Sequence, residues 1–136
     1  MTVLIIDGQG GGIGRMLVEE LKKLQIEGLQ IYAVGTNALA TQAMLRSGAN
    51  EAATGENPVR VLAPQVDVIL GPMGIVLCDA MLGEITEGMA VAIGRSPAQK
   101  ILIPLARCGM EVAGLPSPSL ADSIRSAAQR VEELAH

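Results

Sequence analysis

Aromatic residues are all but missing: Tyr32 stands alone, with no Phe and no Trp. Single-stranded nucleic acids are held largely by bases stacked on aromatic rings, so that class of ligand is excluded. A net charge of −4 and a pI near 4.9 exclude binding along a phosphate backbone as well. Histidine is as scarce, His136 at the last position being the only one, which removes histidine-based acid–base catalysis and histidine-rich metal sites. Two cysteines, Cys78 and Cys108, are too few for a disulfide framework and lack metal-ligand spacing, so no metal is expected. Reduced thiols fit a cytoplasmic setting. Met1 to Asp7 has no basic segment before its apolar run, and the run ends on a carboxylate, so it does not read as a signal peptide. The longest stretch free of charge, 28–45, is broken by Gln30, Thr36, Asn37, Thr41 and Gln42, and no membrane association is expected.

What the chain has instead is apolar bulk and glycine. Apolar residues make up 49% of 136 positions, 16 of which are glycine, and the mean hydropathy is +0.40. That length suits one domain, 1–136, able to bury about two-thirds of its unfolded surface without staples. The apolar excess points to a subunit interface, and a homodimer is the expected assembly.

Val3 to Asp7 is a β-branched run with almost no polar alternation, as in a strand buried on both faces of a parallel sheet. After it the period changes: Ile13, Leu17, Leu21 and Leu24 fall at helical spacing, predicting a helix over 12–25. A second strand over 30–34 turns through Gly35-Thr36-Asn37 into an Ala-rich helix closed by Gly48. A weak strand over 50–54, a short helix begun by Asn57-Pro58, and a strand over 66–70 follow. Gly71-Pro72-Met73-Gly74 ends that strand, and 75–82 fits helix or strand by periodicity alone, helix being preferred. Thr86 caps a helix to about Gly94, 101–105 returns to strand, 110–113 is predicted as a sixth, edge strand, and Ser117-Pro118 opens a terminal helix. Alternation of this kind predicts an α/β fold, three layers, doubly wound around a mostly parallel sheet, Rossmann-like.

The chemistry is most legible between the first strand and first helix, where Asp7-Gly8-Gln9-Gly10-Gly11-Gly12-Ile13-Gly14-Arg15 places five glycines in seven positions. Such a loop turns sharply and lets a phosphate approach bare N–H groups at a helix N-terminus. The ligand implied is small and phosphorylated. In a doubly wound sheet it lies between the first and fourth strands, where Gly71, Pro72 and Gly74 would face the loop. Asp7 would orient the loop or touch a ligand hydroxyl. Arg15 would neutralise a phosphate or simply be solvated, and Thr36 and Asn37 would bind a ribose or cap the second helix. Glu84, Asp79 and Cys108 are the candidates for chemistry, Arg107 being the one cation beside a thiol; both thiols otherwise read as buried and inert.

The spacing Gly8, Gly12, Gly14, followed by an amphipathic helix, resembles the cofactor loop of short-chain dehydrogenases over about the first 27 residues. That resemblance implies NAD or NADP as cofactor, with Gly8, Gly12 and Gly14 as pyrophosphate-loop positions. The family's catalytic Tyr and Lys have no counterpart, because the fourth position after Tyr32 is Thr36. The acid expected after the second strand is replaced by Gly35-Thr36-Asn37. Across nearly its whole length the chain is similar to a family of short bacterial proteins known as a domain of unknown function, with Asp7 to Gly14 and a central Leu82-Gly83-Glu84-Ile85-Thr86 carrying the likeness. The expected function is nucleotide or dinucleotide binding in a regulatory or binding module, NAD(P) leading. The alternatives are a small enzyme acting on a phosphorylated or carboxylated metabolite, and a ligand-free homodimeric structural module.

Overall fold

The computed structural model describes residues 1–105, 109–115 and 118–136. Five parallel strands, β1 (Thr2–Asp7), β2 (Gln30–Gly35), β3 (Glu51–Thr54), β4 (Val68–Pro72) and β5 (Gln99–Ile103), form one sheet in the order β3-β2-β1-β4-β5. Helices α1 (Gly12–Lys23), α2 (Ala38–Arg46) and α5 (Leu120–Ala135) cover one face, and α3 (Glu56–Leu62) and α4 (Glu87–Arg95) cover the other. The fold is the expected three-layer α/β arrangement around a parallel sheet. No helix among the described residues is long and apolar enough to cross a membrane.

β1 is central because the four residues in its middle, Val3 to Ile6, have no side-chain polar group that needs water. Val3 and Ile5 point into the core beneath α1 and α5, Leu4 and Ile6 into the core beneath α3 and α4, and all four are fully buried. Removing each from water is worth roughly 2 kcal/mol, which ties both layers to this strand. On α1 the heptad-like stripe buries Leu17 and Leu21 against Ile124, Ala127 and Val131 of α5. Thr86 caps α4 by accepting from the Met89 amide at 3.1 Å, and Asn37 caps α2 by accepting from Ala40 N at 2.9 Å.

β1 pairs with β2 on one side and β4 on the other. The chain winds outward from β1 to β2 and β3, then crosses back through α3 to start again at β4. Strand order therefore reverses between β1 and β4, and the carboxyl ends of these two strands part to leave a crevice.

Several boundaries depart from the sequence reading. The segment 75–82, expected as a helix, is a 3₁₀ turn over Met73–Val76 followed by a compact loop. Ile75, Ala80 and Ile85 are buried against the α4 layer, and anchors five residues apart do not share a helical face. The chain between them closes instead through Asp79 N to Ile85 O at 2.8 Å and Ile85 N to Ala80 O at 3.1 Å. The price is left-handed backbone at Asp79, Met81 and Leu82, with φ of 67°, 59° and 56°. Residues 110–113 form no strand; among the described residues β5 is the last strand of the sheet on that side. The fourth and fifth strands lie two residues away from their expected spans, because their hydrogen-bond register against β1 and against each other overrides local hydropathy. Ser119, not Ser117, caps α5 by accepting from the Asp122 amide at 3.1 Å, and Ser117 lies outside the described residues.

Candidate functional site

The crevice is built on the loop between β1 and α1. Asp7, at the end of β1, is only 4% exposed and turns its carboxylate inward: Oδ1 accepts from Gly8 N at 2.8 Å and Oδ2 from Gly14 N at 2.7 Å. The side chain thus caps α1 and clamps both ends of the glycine loop, so Asp7 orients the loop. Burial pushes the Asp7 carboxyl above its usual range, opposed by the amides of Gly14, Gly8 and Ile13, while the charge of Glu84 pushes it further up.

Most of the loop's donors are consumed within the protein. Besides Gly8 and Gly14, Gln9 N donates to Glu84 Oε1 at 2.8 Å and Gly11 N to Gly8 O at 2.9 Å. The amides of Gly10 and Gly12 have no acceptor among the described residues. The expected cradle of bare amides is therefore much narrower than the sequence implied: two groups, not seven.

The glycines divide in the same way. A Cβ on Gly8 would lie 2.6 Å from Thr36 Oγ1 and 2.7 Å from Met81 Sδ, one on Gly14 2.5 Å from Met44 Sδ, and one on Gly11 2.8 Å from Ala40 Cα. Packing alone requires those three. A Cβ on Gly10 or Gly12 would meet nothing within 4 Å, and neither residue has a left-handed φ.

On the β2 side a second carboxylate closes the crevice. Glu84 Oε1 accepts from Thr36 Oγ1 at 2.5 Å, from Asn37 Nδ2 at 2.8 Å and from Gln9 N, and Asn37 Nδ2 also donates to Gln9 O at 2.9 Å. These bonds hold the Glu84 carboxyl below its usual range, Thr36 contributing most. The acid missing from the end of β2 is thus present in space, brought there from the loop before α4.

On the β4 side the crevice stays open as a cavity of about 490 Å³ lined by the glycine loop from Asp7 to Ile13, by Pro72, Met73 and Gly74, and by Leu77, Met81, Leu82, Leu105 and Leu120. Two glycine turns predicted separately do meet here. The apolar residues were not foreseen, since no local pattern separates a leucine or methionine that lines a cavity from one that fills the core. Leu82 is 98% exposed on left-handed backbone at the mouth, an arrangement no local pattern encodes. Among the described lining residues Asp7 is the only ionisable one.

Other expected residues go elsewhere. Arg15 pairs with Glu19 at 2.9 Å on the solvent face of α1 and does not line the cavity. Gly71 packs against β1, where a Cβ would lie 2.4 Å from Ile6 O. Thr36 and Asn37 serve Glu84 and the α2 cap. Asp79 is exposed. Cys78 is exposed as well, not buried; desolvation and the Asp79 carboxylate push its thiol up, against nucleophilic use. Cys108 and Arg107 lie outside the described residues. No group of three or more His, Cys, Asp or Glu able to hold a metal occurs among the described residues.

A family model described as a domain of unknown function, DUF3842, matches residues 2–136. No curated protein matches the chain. Among solved structures it is similar to a dodecameric FMN-dependent Ubix-like decarboxylase from Escherichia coli O157:H7, with a TM-score of 0.55 at 12% identity over 98% of this chain and 94% of that one. It is also similar to AibC, with a TM-score of 0.52 at 21% identity over 98% of this chain but 39% of AibC, so it spans well under half of that protein. At these identities the likeness is one of fold.

Proposed function

The chain belongs to DUF3842, and we propose that it binds a nucleotide-like cofactor in the crevice between β1 and β4, as a binding or regulatory module. The observation that carries this reading is the pair Gly10 and Gly12: their amides have no partner among the described residues, and their missing side chains serve no packing need. A phosphate group resting on those two amides would account for both facts. The apolar wall of Leu77, Met81, Leu105 and Leu120 offers a surface for a planar ring. Support also comes from the fold, since sheets with this reversal of strand order take ligands at this place, and one protein of similar fold is described as FMN-dependent.

NAD and NADP, the cofactors implied by the glycine spacing, belong to the same ligand class. A homo-oligomer fits the exposure of Leu39, Leu82 and Leu115 and the dodecameric description of the protein similar in fold.

Substitution of Gly10 and Gly12 tests the reading cleanly. Because a Cβ at either position enters open space on ordinary backbone, Gly12→Ala and the double variant with Gly10→Ala should keep or slightly raise stability, by about 0.4–1 kcal/mol per site. Melting scans with FMN, NAD, NADP, FAD and ATP should show a ligand-induced rise in the wild type, about 2.7 kcal/mol at 100 times Kd. The double variant should show it reduced or lost. No rise with any of them in the wild type rejects the reading.

A further inference from the structure

We infer that the crevice admits a mononucleotide and excludes the second nucleoside of a dinucleotide, because the chain's own Glu84, bonded to Gln9, Thr36 and Asn37, closes the half of the crevice over β2. This deepens the nucleotide-binding reading and rests on it. In an open α/β sheet a dinucleotide lies across the point of strand reversal, with one nucleoside over each half. Here the two halves differ. Over β4 the cavity is open and apolar. Over β2, Glu84 Oε1 lies 3.0 Å from where a Cβ of Gly8 would stand, so this carboxylate is seated against the turn that follows β1. Glu84 then reaches across to Thr36 and Asn37, the positions from which a second ribose would otherwise be held.

The blockage is built from three independent donors on one carboxylate oxygen, drawn from the first loop and from the end of β2. No residue from 35–37 lines the open cavity. A second nucleoside could enter the half over β2 only by breaking all three bonds. The free donors point the same way: Gly10 and Gly12 supply two amides, a set suited to one phosphate group. Glu84 is on this view a specificity-determining residue that acts by exclusion, a repulsive element against the larger ligand.

Two ligand pairs isolate the effect. FMN and FAD share a flavin and one phosphate, NMN and NAD share a nicotinamide and one phosphate, and in each pair the larger adds only an adenylate. Calorimetric titration of the full chain should give FMN over FAD, or NMN over NAD, by about tenfold or more in Kd. Equal or tighter binding of the larger member overturns the exclusion while leaving nucleotide binding intact, whereas no binding by any of the four overturns both. In Glu84→Ala the ratio of the two Kd values should narrow by about tenfold. An unchanged ratio in the folded variant removes Glu84 from the role. Should Glu84→Ala fail to fold, the wild-type ratios and Thr36→Ala, which removes one of the three donors holding Glu84 from outside the cavity and is expected to narrow them in the same direction, decide the matter.

Discussion

The two halves of the crevice use the same kind of backbone for opposite ends. Over β2, polar side chains converge on Glu84 and the space is filled; over β4, leucines and methionines surround open volume. The two carboxylates mark the same division. Asp7 is buried and spends both oxygens on loop amides, so its cost is desolvation, whereas Glu84 is half-exposed and stabilised by its donors. A glycine-rich loop is therefore not one device but two: Gly8, Gly11 and Gly14 let the chain pack on itself, and Gly10 and Gly12 leave room for something else.

The largest effect is expected from Asp7, which holds both ends of the loop. Asp7→Ala strips the acceptor from two amides and should destabilise by about 2–3 kcal/mol in urea denaturation, with the m-value unchanged. A loss under 1 kcal/mol would mean that the loop closes without its clamp.

The pH dependence of stability sharpens the contrast between the carboxylates, because their signs differ. Asp7 is raised from its usual 3.8, so its share is complete below that value and lost as pH rises through the raised value. Glu84 is lowered from its usual 4.5, so its share is complete above that value and lost as pH falls through the lowered one. Subtracting the pH profile of Glu84→Gln from the wild type should leave a difference that shrinks toward acid. The same subtraction for Asp7→Asn should leave one that shrinks as pH rises from 4 toward neutrality. Two differences of the same slope would contradict the division.

The smallest effect belongs to Arg15, which the sequence offered as a phosphate partner and the structure pairs with Glu19 on the outside of α1. Arg15→Ala should change stability by less than about 0.5 kcal/mol, and nucleotide affinity by less than about twofold. A tenfold loss of affinity would return Arg15 to the crevice.

Much of this architecture was legible in one dimension. Alternating strand and helix signals, the change of period at Ile13, and the caps Asn37 and Thr86 led to five parallel strands and most of the helices, because each depends on neighbours within a turn or two. The segment after β4 was not legible. Ile75, Ala80 and Ile85 satisfy apolar spacing for more than one local structure, and only their burial against α3 and α4 selects the loop with its left-handed residues. Cys78 misled for a related reason: its apolar neighbours suggested a core, while the loop turns the thiol outward.

The sequence by itself determined the order of the elements, the strand buried on both faces and the place of the glycine loop, since hydropathy and turn chemistry act over short distances. Tertiary structure alone decided which glycines face packed atoms and which face space, and that Glu84 would meet Gln9, Thr36 and Asn37 from 75, 48 and 47 residues away. Contacts of that range follow from how the sheet is wound, and no local spacing of residues carries the information.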